Sequence, residues 1–215
     1  LTKMPLEERR QRLEKFATRY FRKIGRIHLS PATTEFRTAK KWFTSAGGNL
    51  DGVVAKRTDL AYRSGLRDGM EKIKPHRTAD CIVGGFRYAE RRKVVGSLLL
   101  GLYNDEGLLD HVGFTSSFPE SERRRITDLV KPLIEPPGFT GHAPGGPSRW
   151  STRRSDEWHP LRPELVVEVG YDHFTNGRFR HGTRLIRWRP DKAPRECTFD
   201  HVTRRGTGNL KLIGL

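Results

Sequence analysis

Three short clusters in this 215-residue sequence carry side chains able to handle phosphate. The first is Asp51-Gly52-Val53-Val54-Ala55-Lys56. Strand alternation sends Asp51, Val53 and Ala55 to one face and Gly52, Val54 and Lys56 to the other, which predicts a carboxylate facing a site while Val54 packs. The second is Lys72-Ile73-Lys74, where the same period puts two ammonium groups on one face. They repel unless an anion sits between them, and a nucleotide phosphate meets that need through charge-assisted contacts. The third is Arg184-Leu185-Ile186-Arg187-Trp188-Arg189-Pro190-Asp191-Lys192. Its Pro-Asp turn crowds Arg189, Asp191 and Lys192 together, a cluster suited to a polyphosphate with Asp191 orienting an arginine rather than neutralising the whole patch. Each cluster alone also fits a plainer role: a glycine-turn hairpin, an edge strand whose lysines block aggregation, or a basic strand end.

These clusters must be positioned by the elements around them. Leu6, Leu13, Phe16, Tyr20 and Phe21 recur among charged residues and predict an amphipathic helix over 6–21. Ile27 and Leu29 predict a short extended run before Ser30-Pro31. Thr33 or Thr34 caps a second helix reaching about Ser45, closed by Gly47-Gly48. Strands follow at 50–56 and 70–74 with a polar loop between, and then the texture becomes all-β. Apolar runs at 79–88, 94–103 and 108–115 predict three strands, the last two joined by the Asn104-Asp105-Glu106-Gly107 loop. A charged helix over 119–134 and a Pro/Gly-rich loop over 136–147 precede two more strands, 165–174 and 179–188, around Asn176-Gly177. Five strands with a helix between the third and fourth is the element order of an OB-fold barrel.

Forty-one Lys and Arg against twenty-five Asp and Glu give a net charge of +16, a field that favours DNA, RNA or nucleotides. With 34% hydrophobic residues and no apolar run near the roughly 20 residues of a membrane span, a transmembrane protein is excluded. No secretory signal is visible, so a cytoplasmic location is expected. Cys81 and Cys197 form no C-x-x-C pair, which argues against a disulfide framework or structural zinc. The eight His show no metal-ligand spacing. Trp150, Trp158 and Trp188 are expected to pack rather than to stack on bases.

The order and spacing of the three clusters resemble the motifs of bacterial ATP-dependent DNA ligases, within the covalent nucleotidyltransferases. The likeness extends to Arg77-Thr78-Ala79-Asp80-Cys81, to Gly96-Ser97-Leu98-Leu99-Leu100-Gly101-Leu102-Tyr103 and to Arg178-Phe179-Arg180-His181. It implies an α+β remnant of an adenylation (nucleotidyltransferase) domain over 1–76, an all-β OB-fold barrel with one intervening helix over 77–202, and a tail over 203–215. It implies ATP as AMP donor, Mg²⁺ as cofactor and double-stranded DNA with nicks or ends as partner, in DNA repair and with no membrane partner. Asp51 then matches the acidic position, usually Glu, that helps place the metal. Lys72 and Lys74 match the pair that holds the α-phosphate, and Arg67 resembles an arginine that approaches the nucleotide. Glu71 departs from the apolar or aromatic residue common before the first lysine. Arg189, Asp191 and Lys192 match the terminal motif that orients departing pyrophosphate, with Arg187 as an assistant.

The nucleophile of that family lies in Lys-x-Asp-Gly, and no such tetrad occurs in these 215 residues. The first residue is Leu1, so the expectation is a chain derived from a ligase whose N-terminal half is absent or is a separate chain, and whose residues 1–75 expose apolar surface. Two other functions compete: a non-catalytic DNA-binding OB module, and an RNA-capping-type guanylyltransferase with similar acidic-Gly and Lys-x-Lys motifs. Without a nucleophile, incubation with radiolabelled ATP and Mg²⁺ is expected to leave no covalently bound label on this chain after denaturing electrophoresis; label retained on it would contradict the reading.

Overall fold

The computed structural model describes residues 1–21, 27–45, 52–90, 92–145 and 157–203, which divide into one unit within Leu1–Pro75 and another within His76–Arg204. In the first, α1 (Leu6–Tyr20) opens after Pro5, whose side chain cannot cap the helix. Loop carbonyls replace the cap: the Leu6 N–H donates to Leu60 O and the Glu7 N–H to Thr58 O, each at 3.0 Å. Two of the amides that a helix start leaves unpaired are thereby satisfied, and the 58–62 loop is fastened to the helix. α2 (Phe36–Ser45) begins one turn after Thr33, whose Oγ1 accepts the Glu35 N–H at 3.0 Å. β1 (Val53–Lys56) and β2 (Met70–Ile73) form an antiparallel pair. Val54 is half exposed, against the expectation that it packs. Leu13, Phe16, Phe36, Tyr62, Leu66, Met70 and Ile73 are also exposed, and Ala17 is the one described hydrophobic residue of this unit that is buried. The expected extended run at Ile27–Leu29 pairs with no strand, and Gly47-Gly48 lie outside the described residues.

The second unit has its own core. β3 (Arg77–Tyr88), β4 (Val95–Tyr103) and β5 (Leu109–Thr115) run antiparallel in sequence, α3 (Glu122–Val130) follows, and β7 (Val166–Tyr171) and β10 (Arg184–Trp188) complete the path β10-β7-β3-β4-β5. The two-residue β6 (His159–Pro160) pairs with the far end of β3, and β8 (Phe174–Thr175) with β9 (Arg178–Phe179) form a tight hairpin over Asn176-Gly177. The five expected main strands and the helix between the third and fourth are therefore present. The path does not close into a barrel: where β5 ends and β10 begins, the described backbone pairing is the parallel bridge Thr115–Thr183. The last predicted strand is shorter than the apolar pattern suggested, since Phe179 belongs to the β8–β9 hairpin.

Ile82, Val83 and Phe86 of β3, Leu98, Leu99, Leu100 and Leu102 of β4, Val112 of β5 and Val167 and Val169 of β7 are fully buried. α3 seals one side with Ile126 and Val130. Its position is set by polar contacts too: Thr127 Oγ1 accepts the Val95 N–H at 2.9 Å, and Arg123 Nη1 donates to Val95 O at 2.7 Å while its guanidinium lies over Phe118. Gly84 and Gly85 let Phe139 and Trp158 lie directly on β3, since a Cβ at either would come within 2.7 Å of those rings. Trp158 and Trp188 pack against this core, as expected, while Trp150 lies outside the described residues.

His111 of β5 is buried among Phe139 and two arginines. Arg178 Nη2 donates to its Nδ1 at 3.3 Å, and Nε2 has no hydrogen-bond partner among the described residues. Burial first, then the charges of Arg178 and Arg87, push its pKa from 6.5 down to about 3. Between these values the unfolded chain binds a proton that the folded chain refuses, so this contribution to stability is full above pH 6.5 and falls away as pH drops toward 3. The loss approaches about 1.4 kcal/mol per pH unit within that window. In thermal melts between pH 7 and pH 5, His111→Leu is expected to flatten the pH dependence of Tm; an unchanged slope would show that another group carries it.

Candidate phosphate-binding site

Two groups of cations stand where the sequence reading placed them, one in each unit. In the first unit β1 and β2 are registered with Val54 opposite Lys72 and Val53 opposite Ile73. Gly52 makes this pairing possible: its φ is +126°, and a Cβ there would fall 2.1 Å from the Ile73 carbonyl oxygen. The backbone at Gly52 thus lies against Ile73 and Lys74. Lys72 and Lys74 are both exposed at the end of β2, as is Arg67 in the loop before it, where Arg63 pairs with Asp68. Asp51 lies outside the described residues.

In the second unit β10 ends at Trp188, and the chain turns through Arg189-Pro190-Asp191-Lys192. The Arg189 N–H donates to Val166 O at 2.8 Å, which holds the turn to β7, and the Lys192 N–H closes back on Arg189 O at 3.2 Å. Proline after the first residue suits such a turn because its φ is preset. The three motif side chains are brought together, but carboxylates enclose them. Arg189 presents its Nε and Nη2 edge to Asp191 at 2.8–3.2 Å and its Nη1 to both oxygens of Asp80 at 2.8 and 3.0 Å. Lys192 Nζ lies 3.6 Å from Asp80 Oδ2 and 3.6 Å from Glu196 Oε2. The Arg189, Lys192 and Asp80 side chains are only 17–18% exposed. Asp191 therefore fixes one edge of the arginine, and Asp80 and Glu196 add two further carboxylates to the cluster.

The strand register explains this enclosure. Asp80 of β3 stands opposite Glu168 of β7, which stands opposite Arg187 of β10. Like charges facing one another across strands are unfavourable, and each here has a cation from the chain's last strand or turn. Arg187 Nε donates to Glu168 at 2.7 Å, while Arg189 and Lys192 serve Asp80. Arg187 is thereby committed to Glu168. Its hydrogen bond holds the Glu168 carboxyl below the usual range, and the bond from Arg189 lowers Asp191 to about 2 and raises Arg189 above its ordinary value. The turn itself lines a groove of about 520 Å³, where apolar Ile126, Leu129, Leu165 and Trp188 stand beside the charged Glu122, Arg125 and Glu164. Asp80 was left unassigned by the sequence reading, although it sits in one of the segments that carried the resemblance. A carboxylate at the head of a long apolar run, in so basic a chain, was the available signal.

Residues 91–192 match the family described as ATP dependent DNA ligase C terminal region, and the matched stretch ends on Lys192 of this turn. The chain is 42% identical over 201 residues to DNA ligase C of Mycobacterium tuberculosis, an alignment that covers 87% of this chain and 56% of that protein. Residues 91–192 carry the C-terminal region of the ATP-dependent DNA ligases. DNA ligase C2 of Mycolicibacterium smegmatis is also 42% identical, over 92% of this chain and 59% of its own length. A crystal structure of the ligase domain from M. tuberculosis LigD superimposes with a TM-score of 0.51 and 31% identity, over 70% of this chain and 48% of that one. The chain thus spans a little over half the length of these two curated ligases. The Asp80–Arg189 pair joins residues 109 apart in sequence, so it reports on the fold rather than on a local turn. In a double-mutant cycle with chemical denaturation, Asp80→Ala and Arg189→Ala are expected to lower the midpoint by less together than the sum of their separate effects. Strict additivity would mean the pair does not form in solution.

Proposed function

We propose that this chain belongs to an enzyme that joins DNA strands at nicks or ends at the expense of ATP, in DNA repair. The observation that carries the reading is the turn Arg189-Pro190-Asp191-Lys192, at the end of the stretch that matches the ligase family. Its support is the order of the phosphate-handling clusters along the chain and 42% identity to DNA ligase C. In this reading residues 1–76 are the end of an adenylation domain, residues 77–202 an OB-fold domain and 203–215 a tail. The exposed Leu13, Phe16, Phe36 and Tyr62 fit a unit that is one portion of a larger domain.

The proposed roles follow the side-chain chemistry. Lys72 on β2 and Lys74 just past its end, both exposed, hold the α-phosphate by charge-assisted hydrogen bonds, and Arg67 approaches the same nucleotide. Arg189 and Lys192 take the departing pyrophosphate, with Asp191 fixing the plane of the guanidinium. Such transfers are governed by positioning and charge neutralisation, which is what clamps of this kind supply. Asp51 is the residue proposed for Mg²⁺, which when bound would neutralise phosphate charge. Among the described residues no three His, Cys, Asp or Glu side chains gather as metal ligands, and Asp51 lies outside them. The net charge of +16 supports double-stranded DNA as the partner through its phosphates, and no described helix is long and apolar enough to cross a membrane.

A second reading is favoured by the absence of Lys-x-Asp-Gly: a basic module that binds DNA without chemistry. A 5′-phosphorylated nicked duplex, offered with ATP and again in pre-adenylated form, separates the two. Sealing of the pre-adenylated nick alone is expected, since that step needs the 3′-oxygen to attack the 5′-phosphorus and expel AMP but needs no protein nucleophile. DNA binding without sealing of either substrate would leave the second reading.

A further inference from the structure

Resting on the reading of the terminal turn as a pyrophosphate-handling element, the geometry points to a role for Asp80: it is a built-in stand-in for phosphate. It occupies Arg189 and Lys192 in the free chain, and a polyphosphate engages the turn by displacing it. A carboxylate and a phosphate offer a guanidinium the same acceptor pattern, two oxygens in one plane. Arg189 has one edge committed to Asp191, two residues away, which travels with it in the turn. Its remaining nitrogen, Nη1, is taken by both oxygens of Asp80, and Asp80 Oδ2 also faces Lys192 Nζ. Asp80 is thus the point where both cations of the turn converge, as they would on an anionic ligand. It belongs to β3, whereas Arg189 and Lys192 belong to the turn, so the two sides of the contact sit on separate elements.

The strand register makes the exchange reversible. Asp80 and Glu168 are direct neighbours on β3 and β7. Withdrawal of Arg189 and Lys192 leaves two carboxylates facing each other with Arg187 as the cation hydrogen-bonded to Glu168. That repulsion draws the turn back once the anion departs. The arrangement also gives the turn selectivity. In a chain of +16 charge, isolated backbone phosphates of DNA compete for every exposed cation, whereas only an anion of high charge density displaces a carboxylate already in place. Asp80 is a positioning residue in this scheme, acting through Arg189 and Lys192.

The test is calorimetric titration of inorganic tripolyphosphate into the full 215-residue chain at fixed ionic strength. Asp80→Asn is expected to tighten binding about 3- to 10-fold, as removal of one competing charge at hydrogen-bond distance in a solvent-accessible setting would do. Asp80→Ser, which also removes the charge, gives a gain of the same direction should the amide of Asn perturb the turn. The gain vanishes in Asp80→Asn/Arg189→Ala. Asp105→Asn, the same charge change in the exposed 104–107 loop, gives a smaller gain. A merely structural role for Asp80 predicts weaker binding on its removal, so the sign decides. Unchanged or weaker binding in both Asp80 variants, or an equal gain in Asp105→Asn, overturns the proposal. If Arg189→Ala alone leaves tripolyphosphate binding unchanged, it is the reading of the turn as a phosphate site that fails.

Discussion

The ion cluster of Asp80, Arg189, Asp191 and Lys192 is the constraint around which the second unit is arranged. Asp80 lies near the start of β3 and Arg189 just past the end of β10, so their contact requires β7 between them and the whole meander of β4, β5 and α3 to have closed correctly. The apolar faces of β3, β4 and β7 supply the driving force for that closure, because burial of Ile82, the β4 leucines, Val167 and Val169 is possible in only one strand register. The cluster contributes specificity. A one-residue slip of β10 would carry Arg187 away from Glu168 and leave adjacent carboxylates on β3 and β7 without their cations.

The two units differ in how they are held. The second buries a continuous core that includes both cysteines, whose thiols burial pushes upward, Cys197 to about 12. They are small apolar core residues at neutral pH rather than nucleophiles or metal ligands. The first unit is held by backbone hydrogen bonds between α1 and the 58–62 loop and by a two-strand ladder, with much of its apolar surface exposed. A pair of strands gains little stability from pairing alone.

Where a single period governed a segment, the sequence was readable. The alternating and continuous apolar runs located β3, β4 and β5 to within a residue or two and the start of β7 to within one, and the Pro-Asp dipeptide located the turn that gathers Arg189, Asp191 and Lys192. What escaped depends on pairing between distant strands. Asp80 meets Arg189 across 109 residues, and only the β3–β7–β10 register reveals that the cationic turn is already occupied. His111 follows Asp110 in a mostly apolar run, and its lowered pKa follows from burial and then from Arg178 and Arg87 arriving from other strands. The packing expected of Val54 failed for the complementary reason: alternation assigns a face, but not whether anything covers it. Barrel closure likewise cannot be read from strand count, since it depends on how far β5 and β10 approach each other.

The central claim is that the Arg189 guanidinium is held by carboxylates in the free chain and released to phosphate. The most direct measurement is NMR of the arginine Nε–H groups, with Arg189 assigned by mutation and pyrophosphate then added. The account predicts a slowly exchanging Arg189 Nε–H in the free chain, protected by its bonds to Asp191, whose resonance moves as pyrophosphate binds. Exchange as fast as that of the solvent-exposed arginines, with no response to pyrophosphate, would contradict it.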